Sequence, residues 1–304
     1  MSFEKPKIHA NLGLLLVSAM WGLTFPAIRA ALATGTSSFA FVGARFSVAA
    51  LIMLPFALSG LKKDGRALIL PSVGLGLLLG GSYVAQTIGM ETTTAANSGF
   101  ITGTNVIMVP FLDAIIRKTK IKGFAILGAL LALFGMYLLS GLDLSEPQAL
   151  VGGRIGDLWT LLSAFGYAVY LVLLQKHLHR FGHWSFLTAQ LIVVSVTTLA
   201  LGPFIEDWNL EITNTTVLAA VLYCAIFATV GTGLLQFKYQ AQSSPVHAAL
   251  IFALEPVFAG LFAILILSEN PGQNALIGGA FIIAGVLLAE IGPNLMKKKP
   301  KPSG

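Results

Sequence analysis

GSYVAQ at residues 81–86 recurs as GTGLLQ at residues 231–236, with a glycine, a hydroxyl and a glutamine at the same spacing. The pattern belongs to a longer match. At the same shift of 150, Asn97 falls on His247 and Ile101 on Ile251. LGALLALFGMYLL, residues 127–139, then lies over IGGAFIIAGVLLA, residues 277–289, so that Gly128 and Gly135 meet Gly278 and Gly285. Earlier segments match at a shorter shift, Gly22 on Gly166 and Ala44-Arg45 on Ala189-Gln190. A chain that repeats itself at a fixed period is built from one unit used twice.

The unit is written for lipid. Of 304 residues 56% are hydrophobic and 11% charged, against roughly 25% charged in soluble domains. A bilayer core of about 30 Å is crossed by a helix of roughly 20 apolar residues, because each backbone polar group must be satisfied within the segment. Such segments fall at 12–33, 37–59, 68–89, 95–115, 122–140, 156–176, 184–204, 215–238, 246–267 and 273–292. The expected fold is therefore all-α, a polytopic membrane protein with ten transmembrane helices. Each copy holds five, and five is odd, so the second copy enters the membrane in the opposite sense. The expected organisation is a first five-helix repeat over 1–141, an extracytoplasmic connector over 142–155, a second repeat over 156–292 and a basic cytoplasmic tail over 293–304. Inverted repeats of this kind build many secondary transporters, with the substrate held near mid-membrane between the halves.

Charge placement sets the orientation. Lys5, Lys7, Lys62, Lys63, Arg66, Arg117, Lys118, Lys120, Lys122, Lys176, Arg180, Lys238 and the lysines at 297, 298, 299 and 301 all fall on one side of the expected membrane. Arg29 and Arg154 fall on the other, and Arg45 within a span. This bias puts both termini in the cytoplasm and expects a multi-pass protein of the cell inner membrane. It also speaks against nucleic acid as the partner of a basic chain. Lys5 and Lys7 before an apolar run imitate a signal peptide, but the run exceeds an h-region and Arg29 interrupts it before Ala31-Leu32-Ala33. The lone cysteine, Cys224, lies in an apolar span and is expected to be packed and inert. KHLHRFGH, residues 176–183, carries three histidines, yet His177 and His179 stand two apart and no carboxylate completes a ligand set. A wetted connector is expected there, with no metal and no cofactor.

Polar residues inside spans carry the functional expectation. Charge in hydrocarbon costs about 2.5–3.5 kcal/mol even on the insertion scale, so Arg45 and Glu255 need a reason. They are open to a buried structural ion pair, to Glu255 bonding amides freed by Pro256, or to work on substrate or protons. His247, opening the ninth span, is the third candidate for charge or coupling. Arg29 snorkels near an outer helix end; Asp113 and Glu290 fall near inner ends, where water is expected to solvate them. Trp21, Thr24, Tyr83, Gln86, Thr102, Asn105, Tyr167, Tyr170, Thr232 and Gln236 lie in spans one, three, four, six and eight. Amides in lipid need partners, and aromatic faces hold either an ammonium or an apolar side chain. Together they suit a neutral or zwitterionic amphipathic small molecule rather than a polyanion. Pro26, Pro110 and Pro256 remove backbone bonds and are hinge candidates. Gly74, Gly76 and Gly80, like Gly99 and Gly103, are expected at close helix contacts.

These residues, with WGLTF at 21–25, LEPVFAGL at 254–261, the glutamate of LSE at 267–269 and the paired glycines of both fifth spans, resemble the EamA-type branch of the drug/metabolite transporter superfamily. The resemblance covers essentially the whole chain. It implies an alternating-access carrier exporting amino acids or related metabolites, with a cavity formed by the first, third and fourth helices of each half. In one respect the halves differ: Pro110 follows Asn97 by thirteen residues, Pro256 follows His247 by nine, and no counterpart to Glu255 is evident in the first copy. Efflux of lipophilic cations, with Glu255 as counter-charge, is the alternative within the same class. A membrane enzyme is the alternative outside it, although no HExxH, GxSxG or P-loop is present. Oligomeric state is not legible.

Overall fold

Glycine and proline punctuation divides an otherwise continuous helical signal. The computed structural model describes residues 8–93, 95–140, 154–267 and 273–295. Lys5, Lys7, Glu269, most of the connector over 142–155 and the end of the tail lie outside those residues. Every regular element among the described residues is helical. In chain order they are α1 (Ile8–Gly22), α2 (Thr24–Leu32), α3 (Ser38–Asp64), α4 (Ile69–Thr92), α5 (Ala95–Gly103), α6 (Asn105–Arg117) and α7 (Gly123–Ser140). There follow α8 (Arg154–Gln175), α9 (His183–Ile205), α10 (Thr215–Ala225), α11 (Thr232–Gln240), α12 (Pro245–Phe252), α13 (Glu255–Leu267) and α14 (Gln273–Leu295).

Among the described residues, six stretches are long and apolar enough to cross a membrane: Ile8–Leu32, Ser38–Thr92, Asn97–Arg117, Ile155–Gln175, His183–Ile205 and Thr215–Gln240. The second holds two helices, α3 and α4, turned through a 3₁₀ segment at Gly65–Leu68. Gly65 has φ +54, a conformation that a side chain would strain. Large apolar residues such as Leu70, Ile115 and Phe204 lie on the outside, Phe204 with 88% exposure. In water such a surface would aggregate; in lipid it is the solvated face. The protein is a multi-pass membrane protein.

Four spans expected as single helices are interrupted. α1 gives way to α2 at Leu23, α5 to α6 at Thr104 and α12 to α13 at Ala253–Leu254, while α10 passes into α11 through a π-helical turn at Ile226–Gly231. Two of these breaks have a proline just beyond them. Pro26 and Pro256 cannot donate to the carbonyls of Gly22 and Phe252 four residues back. Pro110 lies inside α6 and does not mark its break; there the Thr104 hydroxyl donates to the carbonyl of Ile101 at 2.6 Å. The breaks at Thr104 and Leu254 stand 150 residues apart, so their register follows the repeat although their prolines do not.

Helices pack mainly across the two sequence copies: α3 on α9, α4 on α8 and α9, α1 on α11, α2 on α10, α6 on α8, and α12 on α1 and α6. α7 and α14 cross closest. A Cβ on Gly128 would sit 2.4 Å from the Gly285 carbonyl oxygen, one on Gly285 2.5 Å from that of Gly128, and one on Gly135 2.4 Å from that of Gly278. Only glycine permits backbones this near. Gly76 and Gly80 press on Val193 and Val194, and Gly103 on Met136, whereas Gly74 meets open space and Gly99 has nothing nearer than Phe25 at 3.9 Å.

Candidate functional site

Three of the four interruptions border one cavity. Trp21 and Thr24 flank the break between α1 and α2, Thr102, Gly103 and Asn105 that between α5 and α6, and Phe252, Glu255 and Pro256 that between α12 and α13. Arg45 from α3, Ser82, Tyr83 and Gln86 from α4, Gly99 from α5, and Ser163 and Tyr167 from α8 complete the lining. The free volume is about 50 Å³, space for only a few waters at roughly 10–15 Å³ each. The cavity is contracted.

Arg45 is 2% exposed and is held by the π-helical turn. Its Nε donates to Thr229 Oγ1 at 2.8 Å and its Nη2 to the Ala228 carbonyl at 2.9 Å. The same carbonyl accepts from Trp21 Nε1 at 3.1 Å. A π turn displaces carbonyls from the ordinary helical ladder, which is why such turns gather at functional sites. Thr229 Oγ1 in turn donates to the Cys224 carbonyl five residues back, at 2.7 Å. The guanidinium lies over the Tyr83 ring at 4.6 Å and the Phe46 ring at 5.4 Å. Its charge is thus desolvated but compensated by dipoles and π faces.

Glu255 lines the same cavity, yet no ion pair joins it to Arg45, and its carboxylate takes no hydrogen bond from the backbone around Pro256. Both pairing expectations fail. Glu255 opens α13 just as Asn105, 150 residues earlier, opens α6, and both face the cavity. Asn105 is therefore the positional counterpart that the proline offset had hidden.

Around this core, Gln86 Nε2 donates to Thr102 Oγ1 at 3.0 Å. Trp21 meets Tyr167 and Phe252 edge to face, with ring centroids 5.7 and 5.0 Å apart. Tyr167 donates to Gln236 Oε1 at 3.2 Å, Gln236 Nε2 to Gln240 Oε1 at 3.1 Å, and Gln240 Nε2 to the Leu171 carbonyl at 2.9 Å. Tyr170 stacks on Tyr167 and donates to Gln190 at 3.0 Å. Gln236, Tyr170 and buried Thr232 hence stand behind the lining, not in it. The second span contributes through Arg45, and the eighth only through the π turn, a different set from the first, third and fourth helices of each half.

Other sequence candidates lie elsewhere. His247, Pro26 and Pro110 are off the cavity. Asp113 is buried, accepts from Thr119 at 2.7 Å and pairs with Arg117 at 3.2 Å, and Glu290 is bonded to His247 and Asn11; neither is simply solvated. Arg29 caps α4, donating to the carbonyls of Met90 and Glu91. In the 176–183 connector His177 is half-buried and stacks on Phe181. Burial first, then Arg180 and Lys176, hold its imidazole below the usual range. Ser163 and Phe252 are lining residues that the sequence did not single out, and Ser82, Gly99 and Gly103 line the cavity although the sequence marked them only as part of the repeat or as helix contacts.

Broken membrane helices around a contracted polar chamber are how membrane transporters are built. The chain belongs to the EamA-like transporter family, whose profile matches residues 9–141 and 154–290. It is similar to an uncharacterized transporter of Archaeoglobus fulgidus, 33% identical over 286 residues, 94% of this chain and 87% of the relative. It is also similar to one from Clostridium kluyveri, 28% identical over 80% of each chain. A crystal structure with 15% identity superposes with a TM-score of 0.74 over 95% of this chain and 98% of the other, which establishes likeness of fold.

Proposed function

We propose that this protein is a secondary transporter of the inner membrane, with cytoplasmic termini, which exports amino acids or related small amphipathic metabolites by alternating access between inverted repeats at 1–141 and 156–292. The observation that carries the reading is a cation and a carboxylate, Arg45 and Glu255, facing one cavity without pairing, beside the aromatic rings of Trp21, Tyr83 and Tyr167. A zwitterion offers each charge its opposite, and the rings cover the apolar part. An unpaired substrate charge left in that space would be costly.

The inverted arrangement is supported by reciprocity. α7 crosses α14 through equivalent glycines, α3 packs on its equivalent α9, and the pairing of α4 with α8 corresponds to that of α11 with α1. Counting α3 and α4 separately, and adding the shorter apolar helices Gly123–Leu138, Pro245–Ala259 and Leu276–Gly292, supports ten crossings. The family and the named relatives are transporters, so the enzyme alternative is not carried forward. Efflux of lipophilic cations remains the second reading, favoured by Glu255 beside Trp21 and Tyr167.

Inside-out vesicles containing the protein, given a labelled amino-acid panel and a lipophilic cation with and without a pH gradient, test both readings. Saturable uptake of one or more amino acids supports export of zwitterions; uptake of the cation alone replaces it with the second reading. Uptake of neither, by active and correctly folded vesicle preparations, removes both. Accessibility labelling of the segments around Lys62 and Lys118 tests the topology, which requires them on the same side.

A further inference from the structure

Away from the cavity, where α1 and α12 begin and α14 ends, three side chains close a hydrogen-bonded ring. His247 Nδ1 lies 2.8 Å from Glu290 Oε2, His247 Nε2 lies 2.8 Å from Asn11 Oδ1, and Asn11 Nδ2 donates to Glu290 Oε1 at 3.3 Å. Its chemistry is decided by counting protons. A neutral imidazole has one N–H and an ionised carboxylate has none. If the N–H is on Nδ1, the Nε2 lone pair faces Asn11 Oδ1. If it is on Nε2, the Nδ1 lone pair faces the carboxylate. Turning the Asn11 amide sets its oxygen against Glu290 instead. In every case two acceptors confront each other. One added proton removes the conflict, whether it resides on the imidazole as imidazolium or on Glu290 as a carboxylic acid donating to Nδ1.

The equivalent position at the other end differs. Asn97, matched to His247 by the repeat, donates from Nδ2 to Asp157 Oδ1 at 2.7 Å, and Thr93 Oγ1 donates to the same oxygen at 2.6 Å. Two donors meet one carboxylate oxygen there, so that clasp, joining α5 to α8 beside the end of α4, closes without an added proton. The repeat places Asn97 and His247 at equivalent positions, and the clasps that they enter differ in proton count.

Around the ring, α1 packs on α11, which carries Lys238 and Tyr239, and on α13, which carries Glu255. Of the elements packed on α12, α1 carries His9, α6 carries Asp113 and Arg117, which pair with each other, α7 carries Tyr137 and is preceded by Lys122, and α8 carries Asp157, Tyr167 and Tyr170. Glu290 on α14 is the charged group that touches His247 among the described residues. Side-chain exposures of 16% for His247 and 28% for Glu290 leave the pair within reach of water, as proton exchange needs.

We propose that His247, Glu290 and Asn11 form a proton-binding site that fastens the inner end of the transporter: one bound proton holds α1, α12 and α14 together, and its loss releases them. The proposal rests on the alternating-access reading above. A proton that binds more tightly to the closed end than to the open one stabilises closure at low pH, and closure is lost as pH rises through the site's titration.

The test is a cavity cysteine, Ser163→Cys in a Cys224→Ala background, labelled by a membrane-impermeant maleimide from the inner face in inverted vesicles. Rates are divided by those of the unfolded protein at the same pH, because thiolate content also rises with pH. Labelling should rise as the pH is raised, by up to about tenfold per unit while one proton leaves the site. Glu290→Gln supplies its own N–H to Nδ1 and closes the ring without a proton, so labelling should stay at the low acid level at every pH. His247→Phe cannot close the ring, and labelling should be high and flat. Both variants are accepted only if they elute as monodisperse protein from detergent. A flat profile without these substitutions, or a pH-dependent one in Glu290→Gln, overturns the proton site while leaving alternating access standing. Absence of labelling from either face, in all variants and at all pH values, overturns alternating access and the site with it.

Discussion

Replacing Thr229 with valine isolates the part played by the π turn in setting the buried cation. The hydroxyl accepts from Arg45 Nε at 2.8 Å and sits on the Cys224 carbonyl at 2.7 Å; valine keeps the shape and removes the oxygen. A hydrogen bond to a charged group is worth about 1.5–3 kcal/mol. Arg45 keeps the Ala228 carbonyl at 2.9 Å and the Tyr83 face at 4.6 Å, the latter worth about 2 kcal/mol when desolvated. The guanidinium therefore stays in the cavity but loses its fixed orientation. At 1.4 kcal/mol per decade the KM for a carboxylate-bearing substrate should rise roughly ten- to a hundredfold, with a smaller change in maximal rate. Thr229→Ser retains the oxygen and should restore KM. The assay is counterflow in proteoliposomes with a labelled amino acid that the protein moves. A valine variant with unaltered KM, or a serine variant as weak as valine, would refute the reasoning.

Gly135→Ala should lower the thermal unfolding midpoint in detergent by an amount corresponding to about 1–3 kcal/mol of overpacking, because its Cβ would meet the Gly278 carbonyl at 2.4 Å. Gly74→Ala, with nothing within 4 Å, should be neutral or stabilising by up to about 1 kcal/mol; equal losses in both would contradict the close crossing. Glu255→Gln should abolish charge-dependent movement of zwitterion or cation in proteoliposomes, and unchanged flux would assign the residue to structure. Pro256→Ala restores an N–H for the Phe252 carbonyl and mends the break between α12 and α13, so transport should slow more than folded yield falls, whereas matched losses would make the proline merely structural.

What the sequence could disclose followed from cost. A charge in hydrocarbon has to be compensated, so Arg45 and Glu255 stood out. Amides and hydroxyls in spans one, three and four are expensive too, and Trp21, Thr24, Gln86, Thr102 and Asn105 do reach the cavity. The partners of Arg45 were hidden because one is a backbone carbonyl and the other a hydroxyl on a π turn, which has no side-chain signature. Gly99, Gly103, Ser163 and Phe252 were hidden for the opposite reason: small and apolar residues lining a chamber look like those at any helix contact. Glu290 was misread because counting along α14 places it near an end and cannot show that α1 and α12 arrive there with Asn11 and His247.

The register of the breaks also changes how the halves relate. Asn105 and Glu255 each open a helix after an interruption 150 residues apart, and Arg45 aligns with Gln190, which is buried and accepts from Tyr170. At both pairs of equivalent positions one half carries a charge and the other an amide. The cation comes from the first copy and the carboxylate from the second, so neither repeat alone holds both ends of a zwitterion. In the proposed reading, a zwitterion held by Arg45 and Glu255 would bridge elements of opposite halves. A rocking motion that separated α3 from α13 would then break one of its two charged contacts and so tie release of the molecule to the conformational change.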